Sequence, residues 1–426
     1  MAAIHSSRCL SGLVAAATLF CSVAYAAPFT LDEAFERVAR VHPELKIFDS
    51  RQQLMQAQMR SADLRPALSV GVEIENFAGD NAYSGVREAE YTLTLAGVLE
   101  RGLKREARRA VAARRLDSVG VERSARELDV LAEVSRRYLD VLEMKARQPQ
   151  LQQAVQRQQE LANALRERHR AGGVTESVVL AVEAELARLS LESDQAGQQL
   201  RSRWQYLAVL WGEVAEPKNI PDLPPLPQEY TALAPFEEIV SKIKNIPDIE
   251  IFASADRIHE AQLRLLESER RTDINWEFGV RRLEGDASMA IVAGVSMPLG
   301  QALRADIETA AERARRQANR IERDALILQL ESLLIQVYGA LQRDQERFEV
   351  LGLKVLPKLK MAAEQGMSAL QEGALTYLEL SQMQREWLAA ERDQLAVQIS
   401  ILKNMIEIQR LTAEPLSTVS NRSGER

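Results

Sequence analysis

Two hydrophobic rhythms alternate along the chain. Over two long charged stretches, about Glu100 to Arg170 and about Gln301 to Met367, little stops a helix. Seventy helical residues at 1.5 Å each would span roughly 100 Å. Pro149 and Pro357 interrupt these stretches and predict kinks or joints. Ahead of each stretch the period drops from 3.6 to 2. Leu68, Val70, Val72 and Ile74 alternate with Ser69, Gly71, Glu73 and Glu75. Tyr91, Leu93 and Leu95 then alternate with Glu90, Thr92 and Thr94. The second half repeats this. Ile274, Trp276, Phe278 and Val280 mark one strand face, and Met289, Ile291, Ala293, Val295 and Met297 the next. Each predicted strand is roughly ten residues long, enough for a tilted strand to cross a bilayer. One face is apolar and the other carries charges and glycine, the pattern of lipid outside and water inside.

A return segment follows each long helix. Leu186, Leu189, Ala196, Leu200, Trp204, Leu207 and Trp211 keep three- and four-residue spacing. Leu388, Leu395 and Leu402 recur every seven residues, as do Ile399 and Ile406. This is coiled-coil-like packing. The other faces are rich in Arg, Glu and Gln, as for helices that meet water over much of their surface.

The order of patterns shows an internal repeat of about 200 residues. Val41-His42-Pro43-Glu44-Leu45 opens one half and Asn245-Ile246-Pro247-Asp248-Ile249 the other, 247 − 43 = 204 apart. Gly172-Gly173-Val174-Thr175 matches Gly373-Ala374-Leu375-Thr376, 376 − 175 = 201 apart. Residues 27–212 form the first repeat and 236–413 the second. Between them, 213–235 holds Pro217, Pro221, Pro224, Pro225, Pro227 and Pro235 and reads as an extended linker. Residues 414–426 form a tail. Thr30-Leu31-Asp32-Glu33 fits a capping box, with a helix running to about Leu64 that Pro43 bends or interrupts.

Composition narrows the class. The 426 residues carry a formal charge of −7, and mean hydropathy is −0.22 despite 46% hydrophobic residues. Mild acidity argues against a nucleic-acid partner. Outside the N-terminus no apolar run approaches the roughly 18–20 residues of a membrane-spanning helix. Arg8, the apolar Gly12 to Cys21 and Ala24-Tyr25-Ala26 read as a Sec-type signal, 1–26, cleaved after Ala26. Phe20 ahead of Cys21 argues against lipidation. Both cysteines, Cys9 and Cys21, fall within the signal, so the mature chain is expected to lack thiols.

The fold class follows: mainly α with a membrane β-barrel portion, each half reading helix, strand, turn, strand, long helical hairpin. Both ends of each strand pair attach to helices, so the helices share one side of the sheet. Four strands cannot close a membrane barrel, since even small ones have eight. Open edges are not tolerated in lipid. Other chains must complete the sheet.

These residues resemble the TolC-like outer-membrane factors of tripartite efflux and secretion systems, from about Thr30 to Ala413. Leu31-Asp32-Glu33-Ala34-Phe35 with His42-Pro43-Glu44-Leu45 resembles the family's opening helix, with His42 where Asn is usual. Arg170-Ala171-Gly172-Gly173-Val174-Thr175 and Gln371-Glu372-Gly373-Ala374-Leu375-Thr376-Tyr377 resemble its periplasmic-tip turns. The resemblance implies a homotrimer with a 12-stranded barrel in outer-membrane lipid. Its helices would form a periplasmic tunnel that docks on an adaptor protein and an inner-membrane pump. Leu99 to Arg108 looks like the Gly-Gly-Lys-Arg segment of heavy-metal channels of the CzcC kind, with Leu103 replacing the second glycine. The plainer reading of Lys104, Arg105, Arg108 and Arg109 is a solvated basic helix start.

The resemblance places adaptor contact at the tips, Gly172, Gly173, Thr175, Gly373, Leu375 and Thr376. Glu379 aligns with a pore-constricting acid of the family, and Gln382 lies one helical turn later. A ring of three carboxylates there would attract cations. The first-half equivalent of Glu379 is apolar Val178. No cofactor, catalytic residue or metal site is expected. His42, His169 and His259 form no ligand-spaced cluster, and neither a nucleotide loop nor a nucleophile elbow is present. The reading is a passive export duct of a tripartite, RND-type efflux system, for heavy-metal cations. A drug or organic-solute exporter or type I secretion duct is the alternative. A soluble periplasmic coiled-coil scaffold is the rival from another class.

Overall fold

A computed structural model describes residues 28–217, 219–227, 230 and 234–416. The expected signal, 1–26, and most of the 414–426 tail lie outside the described residues.

Both repeats fold alike. In the first, α1 (Leu31–Val41) and α2 (Pro43–Ala62) lead to β1 (Ser69–Glu75) and β2 (Glu90–Leu99), then to α3 (Lys104–Arg170) and α4 (Glu176–Ala208). In the second, α5 (Phe236–Lys242) and α6 (Pro247–Glu269) lead to β3 (Ile274–Leu283) and β4 (Ser288–Ser296). α7 (Gln301–Val350), a π-helical turn at Leu351–Val355, α8 (Leu356–Glu372) and α9 (Tyr377–Thr412) complete it. At 67 residues, α3 extends roughly 100 Å.

The prolines act differently from one another. Pro43 and Pro247 each sit in the first turn of a new helix, where a missing N–H costs nothing. Pro43 thus starts α2 rather than bending a continuous helix. Pro149 lies inside α3, which continues past it. Pro357 opens α8 directly after the π-helical turn. The Thr30 capping box is only half made: Thr30 Oγ1 accepts from the Glu33 N–H, but the Glu33 carboxylate accepts from Arg37 instead.

The four strands form one antiparallel sheet in the order β1-β2-β3-β4. The two repeats join through β2 and β3, from Glu90 opposite Leu283 to Leu99 opposite Ile274. β1 and β4 are its edges. All four helix attachments lie on one side of the sheet, and the β1–β2 and β3–β4 connections lie on the other.

Among the described residues, three larger apolar cores and two small clusters hold the helices. The first gathers α1, α3, α4, α9 and the proline-rich linker around Phe29, Tyr138, Trp204 and Trp211. Leu223 and Leu226 of the linker bury there, and the Phe29 N–H donates to the Asp222 carbonyl at 2.7 Å. The second joins α5, α6, α7 and α9 through Ile243, Leu334, Leu341 and Ile401. α9 serves both cores. Leu395, Ile399, Leu402 and Ile406 face the first, and Val397, Ile401, Ile408 and Leu411 the second. The third core lies at the helix tips.

Contrary to the expectation from sequence, the span Gln301–Glu372 does contain one stretch long and apolar enough by composition to cross a membrane. Only 22% of that stretch is buried within the chain. Leu330, Leu334, Val337 and Leu341 point inward, whereas Leu328 and Ile335 are exposed. A helix apolar on two faces has a second packing partner to find.

Candidate tunnel tip and barrel wall

The two tip turns are built alike. Gly172 and Gly373 have φ of +78° and +79°, in the left-handed region that suits glycine. Beyond Gly172, the Gly173 N–H donates to the Arg168 carbonyl at 2.8 Å and the Gly172 N–H to that of His169 at 2.9 Å. Beyond Gly373, the Ala374 N–H donates to Ala369 at 2.9 Å and the Gly373 N–H to Leu370 at 3.1 Å. Both are Schellman closures, which satisfy the last carbonyls of the outgoing helix.

A shared core joins the tips. Leu161, Ala162 and Leu165 of α3, Val182 of α4, Leu370 of α8 and Leu380 of α9 are all buried together. Leu375 packs against this cluster, half-buried. Arg168 donates across to the Leu370 carbonyl at 2.5 Å, and buried Gln158 donates to the Val182 carbonyl at 3.1 Å. Sequence spacing gave no sign of the Arg168 contact, because its partner lies 202 residues away.

The helix starts after the two turns differ. Thr376 caps α9 with a complete capping box. Its hydroxyl accepts from the Glu379 N–H at 3.4 Å, and its own N–H donates to Glu379 Oε2 at 2.9 Å. The hydroxyl also donates to Oε2 at 2.6 Å. These bonds hold the Glu379 carboxyl below the usual carboxylate range. Both bonds to the carboxylate use Oε2. At the matching place in α4, Val178 offers no carboxylate, and Thr175 pairs with Ser177 at 2.8 Å instead. Gln382 is exposed and donates along α9 to Glu386 at 3.1 Å.

Farther up, Glu192 of α4 joins the two hairpins. It accepts from Arg147 of α3 at 2.8 Å and from Arg392 of α9. Burial pushes its carboxyl up, but the two guanidinium groups outweigh this and hold it low. Arg157 of α3 stacks on the Trp387 ring of α9 at 4.0 Å and lies 3.9 Å from Glu391.

At the opposite end, the sheet divides cleanly by face. Val72, Leu93, Val280 and Ile291 fall in one register row, and Val70, Leu95, Phe278 and Ala293 in the next. This face is bare: Val72 is 71% exposed, Ile291 84% and Val295 77%. The other face carries Glu73, Glu75, Glu90, Thr92, Glu277 and Arg281. Arg281 bridges three strands, reaching Glu90 at 2.7 Å, Glu75 at 3.0 Å and Thr92 at 2.9 Å.

At the joint between sheet and long helix the basic start is only partly solvated: the Arg105 and Arg109 side chains reach solvent, but Lys104 and Arg108 are held in ion pairs. Lys104 is 6% exposed and pairs with Asp273 at 2.8 Å, and the Arg101 N–H donates to the same carboxylate at 3.0 Å. Arg108 grips Glu100 with two guanidinium nitrogens. Gly102 and Leu103 are both left-handed. A Cβ on Gly102 would lie 2.7 Å from the Ser268 carbonyl oxygen. Among the described residues no group of three or more His, Cys, Asp or Glu is placed to hold a metal ion.

No family model matches the chain, and no curated protein matches its sequence. Solved structures do match its shape. The outer-membrane channel OprN aligns with a TM-score of 0.75 at 16% identity, covering 91% of this chain and 90% of its own. CusC, described with its transmembrane channel formation, gives 0.75 at 12% identity over 91% and 92%. The outer membrane protein VceC of Vibrio cholerae gives 0.72 at 17% identity over 91% and 97%. With its bare sheet and duplicated hairpins, the chain has the fold of TolC-like outer-membrane channels.

Proposed function

We propose that the protein is a passive export duct of the outer membrane. One observation carries this reading: a four-stranded sheet with a bare apolar face and two open edges stands on helices roughly 100 Å long. Lipid satisfies the face, and neighbouring strands satisfy the edges. Three copies, each adding four strands, close a 12-stranded barrel. The exposed stripe of α7, with Leu328 and Ile335, packs against the adjacent copy. The tips around Gly172, Gly173, Thr175, Gly373, Leu375 and Thr376 dock a periplasmic adaptor, which links the duct to an inner-membrane pump. A leader removed after Ala26 directs export.

Glu379 and Gln382 line the tunnel entrance in this reading. The capping box fixes the Glu379 carboxylate through Oε2 and leaves Oε1 to face the opening. Heavy-metal cations are the proposed cargo, on the resemblance of the 99–108 segment to the CzcC kind. Metal is conducted, not captured. Organic solutes are the second reading.

Fractionation and cross-linking test the duct. The mature chain is expected in the outer membrane as a trimer. Recovery as a soluble periplasmic protein, or as dimers only, overturns the reading. Deleting the gene and measuring growth on zinc, cobalt, cadmium, nickel and copper tests the cargo. Unchanged metal tolerance with new drug sensitivity selects the organic-solute reading.

A further inference from the structure

The bare face of the sheet has two ends. At the turn end lies the row Ile74, Tyr91, Arg282 and Met289, where a charge first appears on this face. At the helix end lie Leu99 and Ile274. Tyr91 and Leu99 are eight residues apart (99 − 91), roughly 27 Å along the strand. At a tilt of about 40° this is roughly 20 Å of depth, most of the apolar band of a membrane barrel. Trp276 stands at the helix end of this band, and its ring covers Gly97. A Cβ on Gly97 would lie 2.8 Å from both Trp276 Cζ2 and Leu68 Cδ2. Indole rings favour the border between hydrocarbon and headgroups. The headgroup level therefore falls just past Leu99, on the helix side.

Four arginines stand at that level. Counted from the row Ser69, Ala96 and Glu277, Arg65 lies four residues nearer the helices (69 − 65), Arg101 five (101 − 96) and Arg271 six (277 − 271). Arg304 follows β4, just inside α7. All four are exposed, and among the described residues none of their guanidinium groups has an ion-pair partner. Their neighbours Lys104 and Arg108 differ, being held by Asp273 and Glu100. Exposed Leu64, Leu68 and Leu299 lie among the four arginines. The turn end has the opposite sign. Asp80, Glu88, Glu284 and Asp286 outnumber Arg87 and Arg282 there, and Arg282 is taken up by Glu284 at 2.7 Å.

We infer that Arg65, Arg101, Arg271 and Arg304 form a collar that binds the phosphate groups of anionic phospholipids in the leaflet on the helix side. Free guanidinium groups directly below an apolar wall call for a ligand that is apolar above and anionic below. A phospholipid has this form. A free anion meets the charge but leaves Leu64, Leu68 and Leu299 in water. The guanidinium fork matches two phosphate oxygens, while its stem lies along the acyl chains. Arg65 precedes edge strand β1 and Arg304 follows edge strand β4, so the collar continues from one copy to the next. It fixes how deep the barrel sits. The inference rests on the duct reading, because it takes the bare face to lie in lipid.

Quenching of tryptophan fluorescence tests it, with the full-length protein reconstituted into phosphatidylcholine vesicles that carry brominated phosphatidylglycerol or brominated phosphatidylcholine. Trp276 reports on lipid at the collar, whereas Trp204, Trp211 and Trp387 lie in the helix cores. One arginine near an anionic headgroup is worth roughly fivefold in attachment, so phosphatidylglycerol is expected at least about fivefold above its bulk share. Salt at about 1 M is expected to erase this preference. Inorganic phosphate is expected to compete no better than chloride of equal ionic strength. Combining Arg65→Gln, Arg101→Gln, Arg271→Gln and Arg304→Gln is expected to bring the two lipids within about twofold of each other. Arg87→Gln with Arg282→Gln, at the turn end, is expected to keep the full preference. Equal quenching by the two lipids, or a preference that survives high salt, overturns the collar. Displacement by inorganic phosphate reduces it to an anion site and overturns it as a lipid surface. The salt measurement needs no substitution, so it decides even where the fourfold variant does not assemble. A protein that does not enter the vesicles refutes duct and collar together, and one that enters without preference refutes the collar alone.

Discussion

Leu103 and Gly300 hold the same place in the two repeats, between a strand and a long helix, and both are left-handed, with φ of +62° and +87°. The sharp exit from strand to long helix uses this backbone in both halves. Glycine adopts it freely, whereas leucine crowds its own carbonyl at a cost of roughly 1–2 kcal/mol. The Leu103 side chain is exposed and offers little packing in return. Leu103→Gly is therefore expected to stabilise the purified protein by about 1 kcal/mol, net of the added freedom of the unfolded chain. Gly102→Ala, one residue earlier, is expected to destabilise it, since the new Cβ meets the Ser268 carbonyl. The denaturation midpoint in detergent checks both signs.

The capping box at Thr376 predicts an asymmetry between the tips. Thr376→Ala is expected to lose about 1 kcal/mol, the usual worth of a helix cap. Thr175→Ala is expected to lose less, because the Thr175 hydroxyl pairs with Ser177 and caps no backbone N–H of its helix. Glu379→Gln keeps an acceptor for the Thr376 N–H and removes only the charge. It is expected to reduce cation preference of single channels while leaving the denaturation midpoint within about 0.5 kcal/mol of the wild type. Reversal potentials in a salt gradient decide. Unchanged reversal potentials would confine Glu379 to the cap. Because Thr376 holds the carboxyl below its usual range, the cation preference is expected to persist at pH 5.

Acid should loosen the contact between α6 and α7. Arg316 grips both oxygens of Asp256, at 2.8 and 2.7 Å, and holds its carboxyl down to about 2 from an ordinary 3.8. A depressed folded pKa means the stabilisation is complete above the unfolded value and is lost as pH falls from about 4 towards 2. Asp256→Asn is expected to cost about 1–2 kcal/mol at pH 7 and little at pH 2. Denaturation of both proteins across that range measures the difference.

The two faces of the sheet predict opposite tolerance to charge. Ile291 lies on the bare face, so Ile291→Arg is expected to cost about 2–4 kcal/mol in lipid and to deplete outer-membrane trimers. Val292 points to the other face, and Val292→Lys is expected to assemble normally. Trimer yield from outer-membrane fractions compares them.

Patterns contained within one element were legible in the sequence. Alternation in Val70, Val72 and Ile74 announced a strand with a bare face, and the paired glycine turns announced hairpins. Contacts between distant elements were not. Lys104 looked solvated because its neighbours in sequence are basic, but its partner Asp273 comes from the other repeat. Glu33 had the right spacing for a capping box, and Arg37 one turn later captured its carboxylate. Thr376-x-x-Glu379 carries the same spacing, and there the box closes because no competing Arg stands one turn on. The π-helical turn left no mark beyond Pro357.

The unlike edges of the sheet also dictate how the protein is made. β1 and β4 are seven and nine residues long, and each has one edge without a partner strand among the described residues. A lone copy, or a pair, keeps two raw edges and cannot rest in lipid. In the proposed trimer only the third arrival removes them, so insertion is expected to be all-or-none, its rate rising steeply with the supply of chains. Until then the bare face and the raw edges stand open, and a shortage of partner copies would appear as aggregation long before it appeared as a defect in transport.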